Sequence, residues 1–362
     1  MRLTRLRLRN YRNYVNQELS LEPGLNVYLG QNAQGKTNLL EAVALLALSS
    51  SPRARRDAEL IGPAATEALA EGFVERDRRP GVEVAIRVAA GGERSIKTIR
   101  VDGAPRRAVD LPGAVNVALF WPEDLGLVKG APAERRRFLN ELLVQIVPGY
   151  AARLSEYRRL LEQRNGLLRR IAAGLEAPAS LQIWEEPLAV AGAAIADARR
   201  QAVGELAPLA SAHHASVSGG EQLEVTYQGP PEDLEAALAR ARDEDLRRGT
   251  TSLGPHRDDL LLAIDGADAR SFASQGQQRT AVVALKLAEA DLMEKRGGER
   301  PVTLLDDVLS ELDAGRRDGL LSSLADRGQV IVTAVDADVF PAGLISGAAV
   351  RCIAAGQVSE CG

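Results

Sequence analysis

The chain has 362 residues, 45% of them hydrophobic and 26% charged, with a formal net charge of −4. This is the balance of an ordinary globular protein, long enough for two domains or for one large head with an insertion, and it excludes a disordered chain. The longest strongly apolar run, Ala42 to Leu48, is far short of the roughly 20 residues that cross a bilayer, and Arg2, Arg5, Arg7 and Arg9 break up any signal-peptide core.

Taken in chain order, the first 30 residues alternate as strands do: Leu6 and Leu8, then Leu19 and Leu21, then Leu25, Val27 and Leu29. A glycine-rich octapeptide follows, and Asn38 to Leu48 reads as an amphipathic helix. Residues 82–101 predict an antiparallel hairpin turning at Gly91-Gly92, and 115–120 one more short strand, which makes a β-rich N-terminal lobe. After Gly130 the period changes. Tyr150, Leu154, Tyr157, Leu161, Leu168, Ile171 and Leu175 fall at a and d spacing, interrupted by Arg164, and a second set runs from Trp184 to Leu209. With Pro178 between the sets, the economical reading is two helices of about 25 residues folded back as a short antiparallel coiled coil, an arm of roughly 40 Å. The alternative is two helices lying flat on the head. From about residue 250 strands alternate with helices again: a strand at 260–265, a helix at 280–295, and apolar strands at 302–305 and 329–333. The expected architecture is an α/β head, residues 1–128 and 250–362, interrupted by a helical arm at 129–249.

Charge and cysteine usage add two expectations. Arg135 to Arg170 holds nine Arg against three Glu, whereas Glu176 to Asp245 holds thirteen acids against four bases, so one limb of the middle region is basic and the next acidic. Cys352 and Cys361 stand without a CxxC or a companion His, which predicts neither a disulfide nor a zinc site and a reduced cytoplasmic location.

Three segments carry chemistry. Gly30-Gln31-Asn32-Ala33-Gln34-Gly35-Lys36-Thr37 matches GxxxxGK[ST] at every position, between a strand and a helix. Its glycines let backbone N–H groups turn inward to cradle phosphates, with Lys36 reaching the β- and γ-phosphates and Thr37 ligating Mg²⁺. Val302-Thr303-Leu304-Leu305-Asp306-Asp307 ends an apolar strand in two carboxylates. A Walker B strand does this, Asp306 holding Mg²⁺ through water and Asp307 polarising the attacking water. Ser274-Gln275-Gly276-Gln277-Gln278-Arg279 opens a helix and offers a hydroxyl, backbone N–H groups and a positive helix end to an anion. The order P-loop, Ser-x-Gly-Gln helix start, acidic strand and Ser310-Glu311-Leu312-Asp313 is that of a cassette ATPase, in which the second anion site completes the nucleotide site of the other subunit. Lys36, Ser274 and Asp307 are the residues expected to carry hydrolysis.

At this point the chain resembles the bacterial RecF family, small relatives of the SMC and double-strand-break-repair ATPases. The likeness runs nearly end to end: Leu8-Arg9-Asn10-Tyr11-Arg12-Asn13-Tyr14, GQNAQGKTNLLEAV from Gly30, FWPEDLGLVKGAPAERRRFL from Phe120, GPHRDD from Gly254, SQGQQR from Ser274 and LLDDVLSELD from Leu304. It implies an ABC-type ATPase head that binds ATP and Mg²⁺. Arg12 and Asn13 would reach the nucleotide beside Gly30, Asn32, Gly35, Lys36, Thr37 and Asn38. Ser274, Gly276 and Gln277 would contact the γ-phosphate held by a partner subunit, with Asp313 at the dimer seam. The resemblance also implies an ATP-dependent homodimer, DNA binding at gaps or junctions of single and double strands, and work with RecR and RecO to load RecA recombinase near the nucleoid.

Some positions depart from the wider cassette pattern. Asp307 stands where many cassettes have Glu, Thr333-Ala334-Val335 where transporters place a histidine, and Glu123 is the stand-in for a Q-loop glutamine. These argue against fast hydrolysis and leave binding untouched. GPHRDD suggests no chemistry, and His256 reads as structural. With no base-reading motif, contact with DNA is expected to be electrostatic, through Arg53, Arg55 and Arg56 after the P-loop helix and Arg135, Arg136 and Arg137 at the base of the arm. The competing readings are a transporter ATPase subunit and a scaffold that binds nucleotide without turning it over.

Overall fold

Alternating leucines build the first sheet. β1 (Arg2–Tyr11) and β2 (Tyr14–Ser20) form a hairpin, while β3 (Leu25–Leu29) leaves for a different sheet. The hairpin continues into β4 (Glu67–Glu75), β5 (Val82–Ala89), β6 (Ile96–Val101) and β7 (Ala104–Arg106), all antiparallel, in the order β2-β1-β4-β5-β6-β7. The 82–101 hairpin pairs as expected, with Ala89 opposite Ile96. Leu3, Leu6, Leu8, Ala70, Val84 and Ile86 point to one face and are buried. Between β3 and β4 runs α1 (Lys36–Leu48), and β8 (Val117–Phe120) closes this part of the chain. The structure is a computed structural model and describes residues 1–92, 95–312, 314–324 and 328–361.

The middle region is helical. A short α2 (Gly126–Lys129) leads to α3 (Pro132–Ile146), then α4 (Tyr150–Ala172) and α5 (Gln182–Ser218). β9 (Leu223–Gln228), α6 (Leu234–Arg240) and α7 (Arg242–Arg248) follow, then β10 (Asp259–Ile264), β11 (Ala267–Asp268), α8 (Ala269–Phe272) and α9 (Gln275–Gly297). The helix pair differs from two equal arms. α4 has 23 residues but α5 has 37, about 55 Å of helix, running on through Pro187 and Pro208. Ile195, Ala202, Leu206 and Ala210 of α5 share one buried core with Ala281, Leu285 and Leu292 of α9 and with Leu223 and Leu260 of the β9–β10 ladder. Much of α5 therefore lies on the head. Arg164, which breaks the apolar spacing in the sequence, is fully buried: its Nη1 donates to Asp245 at 2.6 Å and to the Thr251 hydroxyl at 2.8 Å. It ties α4 to α7 rather than interrupting the packing.

The last third completes a mixed sheet. β12 (Val302–Asp306), α10 (Ala314–Leu324), β13 (Val330–Ala334), α11 (Ala342–Ile345), β14 (Ala349–Ala354) and β15 (Gln357–Glu360) give the order β15-β14-β3-β13-β12-β8, parallel except at β15. Its central strands are buried on both faces, which is why they read as continuous apolar runs. α1 is not amphipathic. Leu39 to Leu48 are all buried, because the helix lies between the antiparallel sheet and this one and has no solvent side. Gln329, itself buried, stitches the two layers: its Oε1 accepts the Leu3 N–H at 2.8 Å and its Nε2 donates to the Leu3 carbonyl at 2.9 Å.

The cysteines overturn one expectation. β14 and β15 fold back at Ala355-Gly356, bringing Cys352 and Cys361 to a Cα separation of 5.0 Å with their sulfurs bonded. A spacing of nine residues with no motif conceals a hairpin that returns the chain to the same place.

Candidate nucleotide site

The P-loop is held in place by side chains from the β1–β2 hairpin. Ala33 and Gly35 take left-handed backbone, φ 65° and 118°. A side chain at Gly35 would collide with Asn13, whose Nδ2 would stand 2.8 Å from it. Asn13 Nδ2 donates to the Gln34 carbonyl at 2.9 Å, Asn38 Nδ2 donates back to Asn13 Oδ1 at 2.8 Å, and the Tyr14 hydroxyl donates to the Gly35 carbonyl at 3.0 Å. Burial raises the Tyr14 pKa, which keeps it a donor. Lys36, nearly buried, turns its ammonium onto the Gly30 carbonyl at the loop's other end. Gln31, Asn32 and Ala33 face solvent. The loop is thus a preformed ring of backbone with an open mouth.

Arg12 does not hang free in that mouth. Its Nε and Nη2 donate to Glu41 at 2.9 and 2.7 Å, and its Nη1 donates to the Glu59 carbonyl at 2.8 Å. The hydrogen bond to Glu41 holds the guanidinium pKa above its usual value. Glu41 is completely buried in α1 and also accepts from Ser51 Oγ, whose oxygen in turn accepts the N–H groups of Arg53 and Ala54. Arg53 leans back to 3.4 Å from Asn38 Oδ1. The sequence signal for this hub is a lone carboxylate in an otherwise largely apolar helix.

The two carboxylates sit where the sequence placed them, and a third residue joins them. Asp306 ends β12 opposite Thr333 of β13. The Thr333 hydroxyl donates to Asp306 Oδ1 at 2.8 Å and accepts the Asp307 N–H at 3.1 Å. Burial pushes the Asp306 pKa up, and hydrogen bonds from Thr37 and Thr333 oppose that push. Asp307 takes left-handed backbone, φ 52°, and its Oδ1 is buried with no hydrogen-bond partner among the described residues. A hydroxyl, a carboxylate hydrogen-bonded to it and an orphaned carboxylate oxygen form a hard-oxygen donor set that suits Mg²⁺ and its waters. Glu123 lies just past β8, on the wall of a cleft of about 550 Å³ shared with Arg12, Arg53 and Lys286.

The second anion site is built on a different core. Ser274 caps α9: its Oγ accepts the Gln277 N–H at 3.2 Å while Gln277 Oε1 accepts the Ser274 N–H at 2.8 Å. Gln277 Nε2 reaches Glu221 at 2.8 Å. The Arg316 guanidinium packs over Gly276, 2.9 Å from where a Cβ would stand. Ser274 and Gln275 are exposed. α1 belongs to the N-terminal core and the start of α9 to the helical one, so the P-loop helix and this helix start rest on separate bodies of packing. Asp313 lies outside the described residues.

The basic residues sort clearly. Arg53, Arg55 and Arg56 are exposed. Arg135 is not a surface cation: it is buried and grips Asp259 through Nε and Nη2 at 2.6 and 2.8 Å. Arg136 donates to the Asp258 carbonyl at 2.7 Å, and Arg137 pairs with Glu141 at 2.7 Å. The expectation of a DNA contact through Arg135 is therefore corrected, because a helix-turn count of three arginines does not reveal which one faces inward. The same contacts give GPHRDD a role. Asp258 accepts from Arg199 at 2.8 Å and from the Tyr227 hydroxyl, and His256 meets the Tyr157 hydroxyl at 2.6 Å and the Thr251 carbonyl at 3.0 Å. Burial lowers the His256 pKa, so it sits as a neutral structural imidazole. The segment is a clasp joining α3, α4, α5 and β9.

A P-loop beside an acid-tipped parallel strand, with a capped serine helix on a separate core, defines an ABC-type ATPase head. Residues 2–349 match the family model described as the RecF/RecN/SMC N terminal domain. A DNA replication and repair protein RecF from Heliobacterium modesticaldum is 41% identical, with 99% of each chain covered. Another, from Symbiobacterium thermophilum, is 43% identical over 93% of this chain and 92% of its own. Among solved structures, the recombination mediator protein RecF-ATPrS in the RecFOR pathway aligns with a TM-score of 0.91 at 31% identity, covering 100% of this chain and 98% of that one. An Smc head bound to the C-winged helix domain of ScpA shares the fold at a TM-score of 0.60 and 14% identity, covering 99% and 96%. The chain belongs to the RecF family of DNA replication and repair proteins.

Proposed function

We propose that this chain is an ATP-dependent DNA-binding mediator of repair and recombination that dimerises on ATP and hydrolyses it slowly to let go. The observation that carries the reading is the division of the nucleotide site between a preformed P-loop on one core and an exposed, capped helix start on the other. Each is half of a phosphate cradle, and a second copy supplies the missing half to both. Within one site Lys36 binds phosphate, Thr37 and Asp306 hold Mg²⁺, and Asp307 orients water. Bound Mg²⁺ would supply charge neutralisation at the phosphates. The orphaned Asp307 oxygen supports the last role. The aspartate, and a threonine where a histidine would be, support slow turnover.

On this reading the protein acts on DNA at gaps or junctions of single and double strands, in the cytoplasm beside the nucleoid, with RecR and RecO, to load RecA recombinase. None of its described helices is long and apolar enough to cross a membrane. The decisive test is Ser274→Arg. ATP binding should stay near that of the wild type while sedimentation shows monomer with ATP as with ADP. A variant that still dimerises on ATP would refute the divided site.

A further inference from the structure

Both cysteines of the chain lie in the β14–β15 hairpin, and this hairpin backs the P-loop. β14 runs parallel to β3 with Cys352 opposite Leu29, the residue before Gly30. The Ile353 carbonyl oxygen lies so close to Gly30 that a Cβ there would stand 2.4 Å from it. At the turn, the Ala355 N–H donates to Gln34 Oε1 at 2.7 Å and the Gly356 N–H to the Gln34 carbonyl at 3.0 Å. Gly356 in turn packs against the Asn13 carbonyl. Gln34 stands between the two left-handed residues of the loop, Ala33 and Gly35. Backbone in that region persists only when its surroundings hold it there.

We propose that Cys352 and Cys361 are a reversible thiol–disulfide pair that sets how firmly the P-loop is held, and with it the affinity for nucleotide. This deepens, and rests on, the reading of residues 30–37 as the ATP site. β15 is a four-residue edge strand: among the described residues its one ladder partner is β14, and Gln17 of β2 accepts the Val358 N–H at 2.9 Å. Such a strand frays when nothing closes its end. The disulfide closes it across the hairpin and fixes the turn that presents two N–H groups to Gln34. Both cysteines are half-buried, open to a small oxidant. Disulfides in reducing compartments are chiefly transient or sensing ones.

The chemistry balances with a peroxide. One thiolate attacks hydrogen peroxide, the O–O bond breaks, and a sulfenic acid and hydroxide form. The second thiolate attacks the sulfenic sulfur, the S–S bond forms and the S–O bond breaks. The two thiol protons leave with the oxygens, so two thiols and one peroxide give one disulfide and two waters. A dithiol reverses it by exchange.

The test compares the whole protein reduced with dithiothreitol and oxidised with hydrogen peroxide, scoring free thiols by alkylation and mass, and ATP affinity by calorimetry. Oxidation should remove both alkylation sites and tighten ATP binding about fivefold by preorganisation. Cys361→Ser should bind as the reduced protein does, with or without peroxide. Equal affinities in the two states, or thiols that stay alkylatable after peroxide, overturn the switch. ATP binding absent in both states and unchanged by Lys36→Met would instead overturn the nucleotide site on which it rests.

Discussion

On the proposed reading Lys36 binds phosphate and Asp307 orients water, and their replacements should separate binding from release. Lys36→Met removes a point charge from the loop and should weaken ATP binding. Asp307→Asn keeps the shape and the hydrogen-bonding oxygen but not the charge that orients water. It should bind ATP near normally and leave a long-lived ATP-bound dimer on DNA, read by single-turnover hydrolysis beside equilibrium binding. Equal loss of binding in both variants would show that these roles are misassigned. The pair was legible in the sequence because each belongs to a contiguous run with a fixed grammar. Thr333 was not, although its hydroxyl joins Asp306 to Asp307. Its place depends on the register between two parallel strands that lie 24 residues apart in the chain, and only the folded sheet sets that register.

Among the elements, the clasp at residues 254–259 and the helices around it show how unequal two arginines can be. Arg199 of α5 is buried against Asp258, so Arg199→Ala would leave a carboxylate buried without its cation and should cost about 3–5 kcal/mol in urea unfolding. Arg137→Ala breaks only an exposed pair with Glu141 and should cost less than about 1 kcal/mol. If the two variants proved equally stable, the clasp would not hold the helices together. Helix α9 carries a titrating group. Burial pushes Glu289 up to about 7, although it is paired with Lys286, whose ammonium lies 5.2 Å from the Phe138 ring centre. A carboxyl whose folded pKa is raised contributes stability that is full below the unfolded value and is lost as pH rises through the folded one. The unfolding midpoint of the wild type should therefore fall relative to Glu289→Gln as pH rises from about 5 to about 8. A constant difference would place the proton elsewhere. The helices themselves were visible from their a and d spacing. Their lengths were not, since α5 satisfies the same period whether it pairs with α4 or lies on α9. The burial of Arg164 was hidden too, because its acidic partners come from α5 and α7.

For the whole molecule, the charge pattern speaks to assembly. A single head of net charge −4 is a poor polyanion ligand, and on the proposed reading two heads aligned by ATP would double the phosphates that exposed arginines can neutralise. The slope of log affinity against log salt for duplex DNA should be steeper with a non-hydrolysable ATP analogue than with ADP, by about 0.9 per added phosphate contact. Arg55 and Arg56 to Ala should reduce that slope; equal slopes in all cases would remove them from the DNA surface. Arg135→Ala should destabilise the fold instead. The switch in period after Gly130 marked where the long helices begin, but the way the sheet is woven was not readable. β3, which leads into the P-loop, is flanked by β13 and β14, from the far end of the chain. On a ribosome making about 5–20 residues per second, the phosphate loop is synthesised first, yet the strands that fix it emerge roughly 15–60 s later. A nascent or truncated chain thus carries the whole P-loop sequence with Asn13 and Tyr14 beside it but without the strands that flank β3. A fully supported phosphate loop then arrives only with β13 and β14, long after the loop itself has been made.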